Sequence, residues 1–216
     1  TLGREVDLTP LAGYLESEDP SVRANTAMLL GLLGDESAAV MLKAKASAPM
    51  PRIGAERAAV VRIQFAEAVV KLGDDSALDV LRAGMYSQFG EVRILSVRAL
   101  GAVGDERMAP AIQRLLDQPP VEQQLAAAET LARLGRPKGL DMVLEHSRHE
   151  QAIVRSQAAW VLGWFKRSDG ALRRLGEMLG DSELRVRVAA AASVLRQTAP
   201  AVKSKPSTDA ADALSP

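Results

Sequence analysis

Val22-Arg23-Ala24-Asn25-Thr26-Ala27-Met28-Leu29-Leu30-Gly31-Leu32-Leu33-Gly34-Asp35 reads as one amphipathic helix closed by a stop signal, and the chain then writes it again. Counted from the Val-Arg pair, the closing glycine falls twelve residues on. Val61-Arg62 leads by the same count to Gly73-Asp74, and Val92-Arg93 to Gly104-Asp105. Val154-Arg155 leads to Lys166, with Gly163 matching Gly31, and weaker copies begin at Gln123-Gln124 and Leu184-Arg185. Starts at 22, 61, 92, 123, 154 and 184 are separated by 39, 31, 31, 31 and 30 residues. Repetition at such a period is the mark of a solenoid, whose units pack on their neighbours alone. The expected fold is an all-α, right-handed α-solenoid.

Three columns define the buried face of this helix, here named helix A. Ala27, Ala66, Val97, Ala128, Ala159 and Ala189 form the first, and Leu30, Val69, Leu100, Leu131, Leu162 and Ala192 the second. Leu33, Leu72, Val103, Leu134, Phe165 and Leu195 form the third, so apolar residues recur at every third position. The column after the leucines holds Gly31, Val70, Gly101, Ala132, Gly163 and Ser193, small residues expected to let the following helix, B, approach. Gly34, Gly73, Gly104 and Gly135 stand where a left-handed C-cap is wanted. Helix B copies are expected near 37–47, 76–87, 106–117, 137–148 and 168–179, the last after one extra residue in its turn. A Pro- and Gly-containing insertion, 48–54, accounts for the long first interval. Residues 7–17 read as the second helix of a repeat whose first is missing. The solenoid is assigned to 1–198, and 199–216, with Pro200, Pro206 and Pro216 and little apolar bulk, is expected to be a disordered tail.

Composition narrows the functional classes. With 216 residues, 47% hydrophobic and only 3% aromatic, the core is built of aliphatic side chains, which suits helix-on-helix packing. Lys plus Arg and Asp plus Glu are both 27, so the basic excess of a general nucleic-acid binder is missing. The absence of cysteine excludes disulfides, thiolate metal sites and cysteine nucleophiles. No apolar run is long enough to span a bilayer. Thr1 implies a processed or trimmed start, which leaves the compartment open.

The Val-Arg pair, the alanine-rich centre, Leu-Gly-x-Leu-Gly-Asp and the Asp-Pro-Ser before Val22 resemble the short HEAT repeats of bacteria, a type also seen in phycobilisome-lyase-like proteins. The resemblance covers about 7–197. It implies an arginine ladder, Arg23, Arg62, Arg93, Arg155 and Arg185, bonded to carbonyls or carboxylates of adjacent turns such as Asp35, Asp74 and Asp105. Gln124 departs from the pattern, so the fourth copy should be the least tightly tied. The same resemblance implies a concave surface lined by B helices.

Several residues are candidates for function. On the expected concave surface stand Lys43, Arg82, Gln113, Arg114, Glu145, Arg173 and Glu177, a mixed polar set suited to protein recognition. Gln157, Trp160 and Trp164 occupy columns that are mostly polar in other copies, which predicts an aromatic patch on the outer surface. His146 and His149 are spaced like a helical metal pair, but their place at the polar end of a helix reads as solvated surface. No phosphate loop or nucleophile constellation is present, and no cofactor, metal or nucleic acid is expected. The leading reading is a non-catalytic scaffold or assembly factor that binds a protein partner along the concave surface. The alternatives are a phycobilin-lyase-like subunit, or a nucleic-acid-binding repair protein.

Overall fold

The computed structural model describes residues 7–198, and the expected tail, 199–216, lies outside them. Every regular element among the described residues is helical. A 3-10 helix, Thr9–Glu16, precedes α1 (Pro20–Leu33), α2 (Glu36–Ser47) and α3 (Ala55–Lys71). Next come α4 (Leu78–Gly84), α5 (Gly90–Val103), the short α6 (Ala109–Gln113) and α7 (Val121–Arg133). The stack closes with α8 (Leu140–His146), α9 (Ala152–Leu162), α10 (Asp169–Met178) and α11 (Leu184–Thr198). The A helices are therefore α1, α3, α5, α7, α9 and α11.

Local chemistry fixes the helix ends. Asp35, Asp74 and Asp105 cap the helical turns that follow them, each carboxylate accepting the backbone N–H two residues on. Gly73, Gly104 and Gly135 take the expected left-handed conformation, whereas Gly34 is extended at φ −82°. Gly34 is needed for space instead, since a Cβ there would stand 2.5 Å from the Leu30 carbonyl oxygen. The first two columns are buried as expected in the first five copies. Leu33 and Leu195 in the third column are exposed; they lie on the first and last A helices among the described residues.

Helix pairing follows the opposite phase from the one expected. α2 packs along α3, α4 on α5, α8 on α9 and α10 on α11, while Thr9–Glu16 packs on α1. Each B helix thus belongs with the A helix that follows it, and residues 7–17 supply the first helix of a complete pair. A repeat period is the same for either phase, so only packing distinguishes them.

The two layers also exchange roles. Successive A helices lie side by side, whereas successive B helices make only slight contact. In a curved stack the more closely spaced layer is the inner one, so the concave surface is lined by A helices. The glycine column explains the close spacing. Gly31 faces Ala68 of α3, Gly101 faces Thr130 of α7, and Gly163 faces Ser193 of α11. These glycines admit the next A helix, not helix B. Where Ala132 replaces glycine, α7 and α9 make the least contact of any successive A helices, and the apolar core divides into two clusters that meet at α7.

A Cβ at Gly101 would stand 2.9 Å from the Thr130 Cα, so Gly101→Ala should destabilise the fold by about 1–3 kcal/mol. Gly176, in α10, has open space around its Cβ position, and Gly176→Ala should stabilise by up to about 1 kcal/mol. Urea denaturation of the two variants checks both signs.

Candidate binding groove

The inner surface is a stripe built from two columns spaced i, i+4 on the A helices. Met28 and Leu32 supply an exposed apolar pair on α1, and Glu67 and Lys71 an ion pair at 2.6 Å on α3. Arg98 follows on α5, Glu129 and Arg133 on α7, Trp160 and Trp164 on or just beyond α9, and Arg196 on α11. Between α5, α7, α9 and α11 the stripe deepens into a cleft of about 850 Å³ lined by Arg98, Glu129, Gln157, Trp160, Leu184 and Val188, among others. One cleft touching four successive A helices is what a curved inner layer produces.

Charge and aromatic surface interlock here. Arg133 stacks on Trp164 at 4.2 Å, and Arg196 lies over both indoles, 3.9 Å from Trp160 and 4.7 Å from Trp164. Glu129, only 3% exposed, stands between Arg98 and Arg133, with nitrogen–oxygen distances of 3.2 Å on both sides. Arg196 makes no ion pair among the described residues, and burial lowers its guanidinium pKa. The buried Gln157 Oε1 and Trp164 Nε1 have no hydrogen-bond partner. Trp160 and Trp164 are thus neighbours, as expected, but they face inward. Trp160 remains 41% exposed, whereas Trp164 is half-buried between guanidinium groups. The sequence reading passed over Arg98, Glu129, Arg133 and Arg196, although the first three share columns with the tryptophans.

The other candidates lie elsewhere. Lys43 and Arg82 are engaged in ion pairs with Asp74 at 2.8 Å and Asp105 at 2.7 Å. Each joins a B helix to the far end of its A partner, so these cations serve the fold. Gln113, Arg114, Glu145, Arg173 and Glu177 are exposed on the B layer, away from the groove. His149 Nδ1 accepts the Gln151 N–H ahead of α9, and His146 Nε2 lies 3.3 Å from Gln124 Oε1. Among the described residues, no group of three or more His, Asp or Glu is placed to hold a metal ion, and no helix is long and apolar enough to cross a membrane.

A profile of HEAT repeats matches residues 50–124 and 108–196. The chain belongs to the HEAT-repeat family. No curated protein sequence matches it. Among solved structures, the complex of CpcE and CpcF of phycocyanin lyase from Nostoc sp. PCC7120 is similar with a TM-score of 0.59 and 22% identity, covering 89% of this chain and 77% of that one. A designed armadillo repeat protein in complex with the peptide (KR)4 has a TM-score of 0.49 and 15% identity over 89% of this chain and 100% of that one. At these identities the likeness is one of fold.

The arginines of the HEAT motif cap turns. Arg93 donates to the carbonyls of Ser87 and Gln88, and Arg155 to those of His149 and Glu150. Arg23 reaches Glu16 and Ser17 in the same way. Arg155 also forms a two-pronged pair with Asp181, at 2.8 and 2.9 Å, which ties its repeat to the next. Asp35, Asp74 and Asp105 take no part in this ladder, being occupied as helix caps. Arg62 is exposed and reaches only the Ala46 carbonyl at 3.4 Å, because the 48–54 insertion displaces the turn it would cap. In the last repeat the rung is Arg187, which donates to Asp181 and Ser182, and not Arg185, which is exposed. The motif pair there is Val186-Arg187, shifted by the longer turn after α9, where Arg167 takes a left-handed φ of 61°.

Arg187→Ala should cost about 1–3 kcal/mol by leaving turn carbonyls unpaired, while Arg185→Ala should change stability by less than about 0.5 kcal/mol. Denaturant titration separates them. Acid offers a second check. The hydrogen-bonded Arg155 guanidinium holds the Asp181 carboxyl at about 2, below its ordinary 3.8, and Lys43 with Ser76 holds Asp74 similarly at about 2. A depressed folded-state pKa stabilises above the unfolded value, and that stabilisation is lost as pH falls toward 2. Asp181→Asn should therefore flatten the decline in denaturation midpoint between pH 4 and pH 2.

Proposed function

We propose that this HEAT-repeat chain is a non-catalytic scaffold or assembly factor that holds a protein partner on its A-helix inner surface. The observation that carries the reading is the cleft across α5, α7, α9 and α11. There Trp160 stands beside exposed Leu184 and Val188 and is ringed by charged groups. An aromatic anchor with apolar neighbours and a polar rim is the usual make-up of a protein-binding hot spot. The stripe continues along the inner surface to Met28 and Leu32, which offers length for an extended partner.

Site-directed photo-cross-linking in cells tests this. A photo-reactive side chain at position 157, in the cleft, should capture a partner that the same group at position 114, on the B layer, does not. Capture from 114 alone would place the binding surface outside. Trp160→Ser should weaken the captured interaction at least about tenfold and change stability by less than about 1 kcal/mol. Partner affinity unaltered by that substitution would remove Trp160 from the site.

A further inference from the structure

Building on the scaffold reading above, we infer that the groove recognises an acidic segment of its partner. A carboxylate enters among Arg98, Arg133 and Arg196, and an adjacent apolar side chain lies on Trp160, Leu184 and Val188. The first argument is charge. Within the cleft and its edge stand four guanidinium groups, on Arg98, Arg133, Arg185 and Arg196, against two carboxylates, Glu129 and Glu183. Glu183 and Arg185 balance one another on the rim. The buried Glu129 is already shared by Arg98 and Arg133, so one carboxylate serves three guanidinium groups and Arg196 makes no ion pair of its own among the described residues. The whole chain has a formal net charge of zero, so this cationic character is local to the groove.

The second argument is hydrogen bonding. The Arg196 guanidinium carbon sits over both indole rings, 3.9 Å from Trp160 and 4.7 Å from Trp164. Its N–H groups are engaged only weakly, by the Trp160 carbonyl at 3.3 Å and Ser193 Oγ at 3.5 Å. A guanidinium held against two rings with donors to spare is arranged for binding of a carboxylate. A neutral segment would cover Arg196 and leave its charge without compensation, and a basic one would add repulsion. The third argument is the apolar neighbour. Leu184 and Val188, one turn apart on α11, are 64% and 59% exposed beside Trp160, enough surface to seat an aliphatic side chain next to the acid.

The chain's two tryptophans are Trp160 and Trp164, so tryptophan fluorescence, excited beyond the tyrosine band, reports on this site alone. The full chain is titrated with three blocked peptides of equal length, built of Leu with Glu, Leu with Gln, or Leu with Lys. The Glu peptide should change the emission and bind at least about tenfold more tightly than the Gln peptide. Its affinity should also fall as salt is raised. Arg196→Gln, and separately Arg98→Gln, should remove the preference for Glu over Gln while leaving circular dichroism unchanged. Equal binding of the Glu and Gln peptides, a preference for the Lys peptide, or no response to any of them overturns the inference. In each case the scaffold reading stands if position 157 still cross-links a partner, and falls separately if it does not. The chain's own Asp-Ala-Ala-Asp-Ala-Leu at 209–214 is a competing occupant. If Asp209→Asn with Asp212→Asn in the full chain by itself shifts the emission and tightens Glu-peptide binding tenfold, the occupant is intramolecular and the partner assignment is overturned.

Discussion

At three of the crossings between successive A helices, glycine faces a small residue and lets the helices come close together. Gly31 against Ala68, Gly101 against Thr130 and Gly163 against Ser193 leave no room for a Cβ. The Thr130 hydroxyl uses the proximity to donate to the Val97 carbonyl at 2.8 Å. Much of the architecture depends on this spacing. A layer drawn together by small residues must be the inner layer of a curved stack, and its solvent-facing columns must then converge on a common groove. The B helices, short and barely touching one another, take up the longer outer path.

The groove deepens beside the junction where successive A helices touch least. Between α7 and α9 Ala132 stands in the glycine column, contact falls to its lowest, and the core divides. Large side chains gather beside this junction. Trp160 and Trp164 stack with Arg133 and Arg196, and Glu129 is buried among guanidinium groups. The fourth copy, which lacks the motif arginine, lies at the same junction. Packing and recognition are therefore in competition at this one place, as expected where a surface is built for binding rather than for stability.

Charged residues elsewhere are spent on holding the units in register. Arg23, Arg93, Arg155 and Arg187 each satisfy two carbonyls in the turn leading into their helix, which would otherwise be half-buried and unpaired. Lys43 and Arg82 reach carboxylates that simultaneously cap the next helical turn, so Asp74 and Asp105 each join two successive pairs. A cation at a repeated column is, in this chain, evidence of a joint. The cations of the groove stand instead in columns that vary from copy to copy.

The sequence by itself determined the repeat, the helical class, the two main buried columns and the arginine rungs of the regular copies, because burial and capping follow the 3.6-residue period and the nearest turn. It also placed Trp160, Trp164 and Gln157 together, since residues three and four apart on a helix share a face. It left the phase of the helix pairs undecided, because a period has no origin, and although it registered the extra residue before 168–179 it misplaced the last Val-Arg pair, whose shift shows only when Arg187 is seen bonded to the Asp181 carbonyl. Which layer faces inward depends on distances between helices summed over the whole stack, and no single repeat records that. The groove itself brings together Arg98, Glu129, Trp160 and Arg196, side chains about one repeat apart along the chain. Their association is decided by how closely neighbouring helices pack, which only the tertiary structure decides.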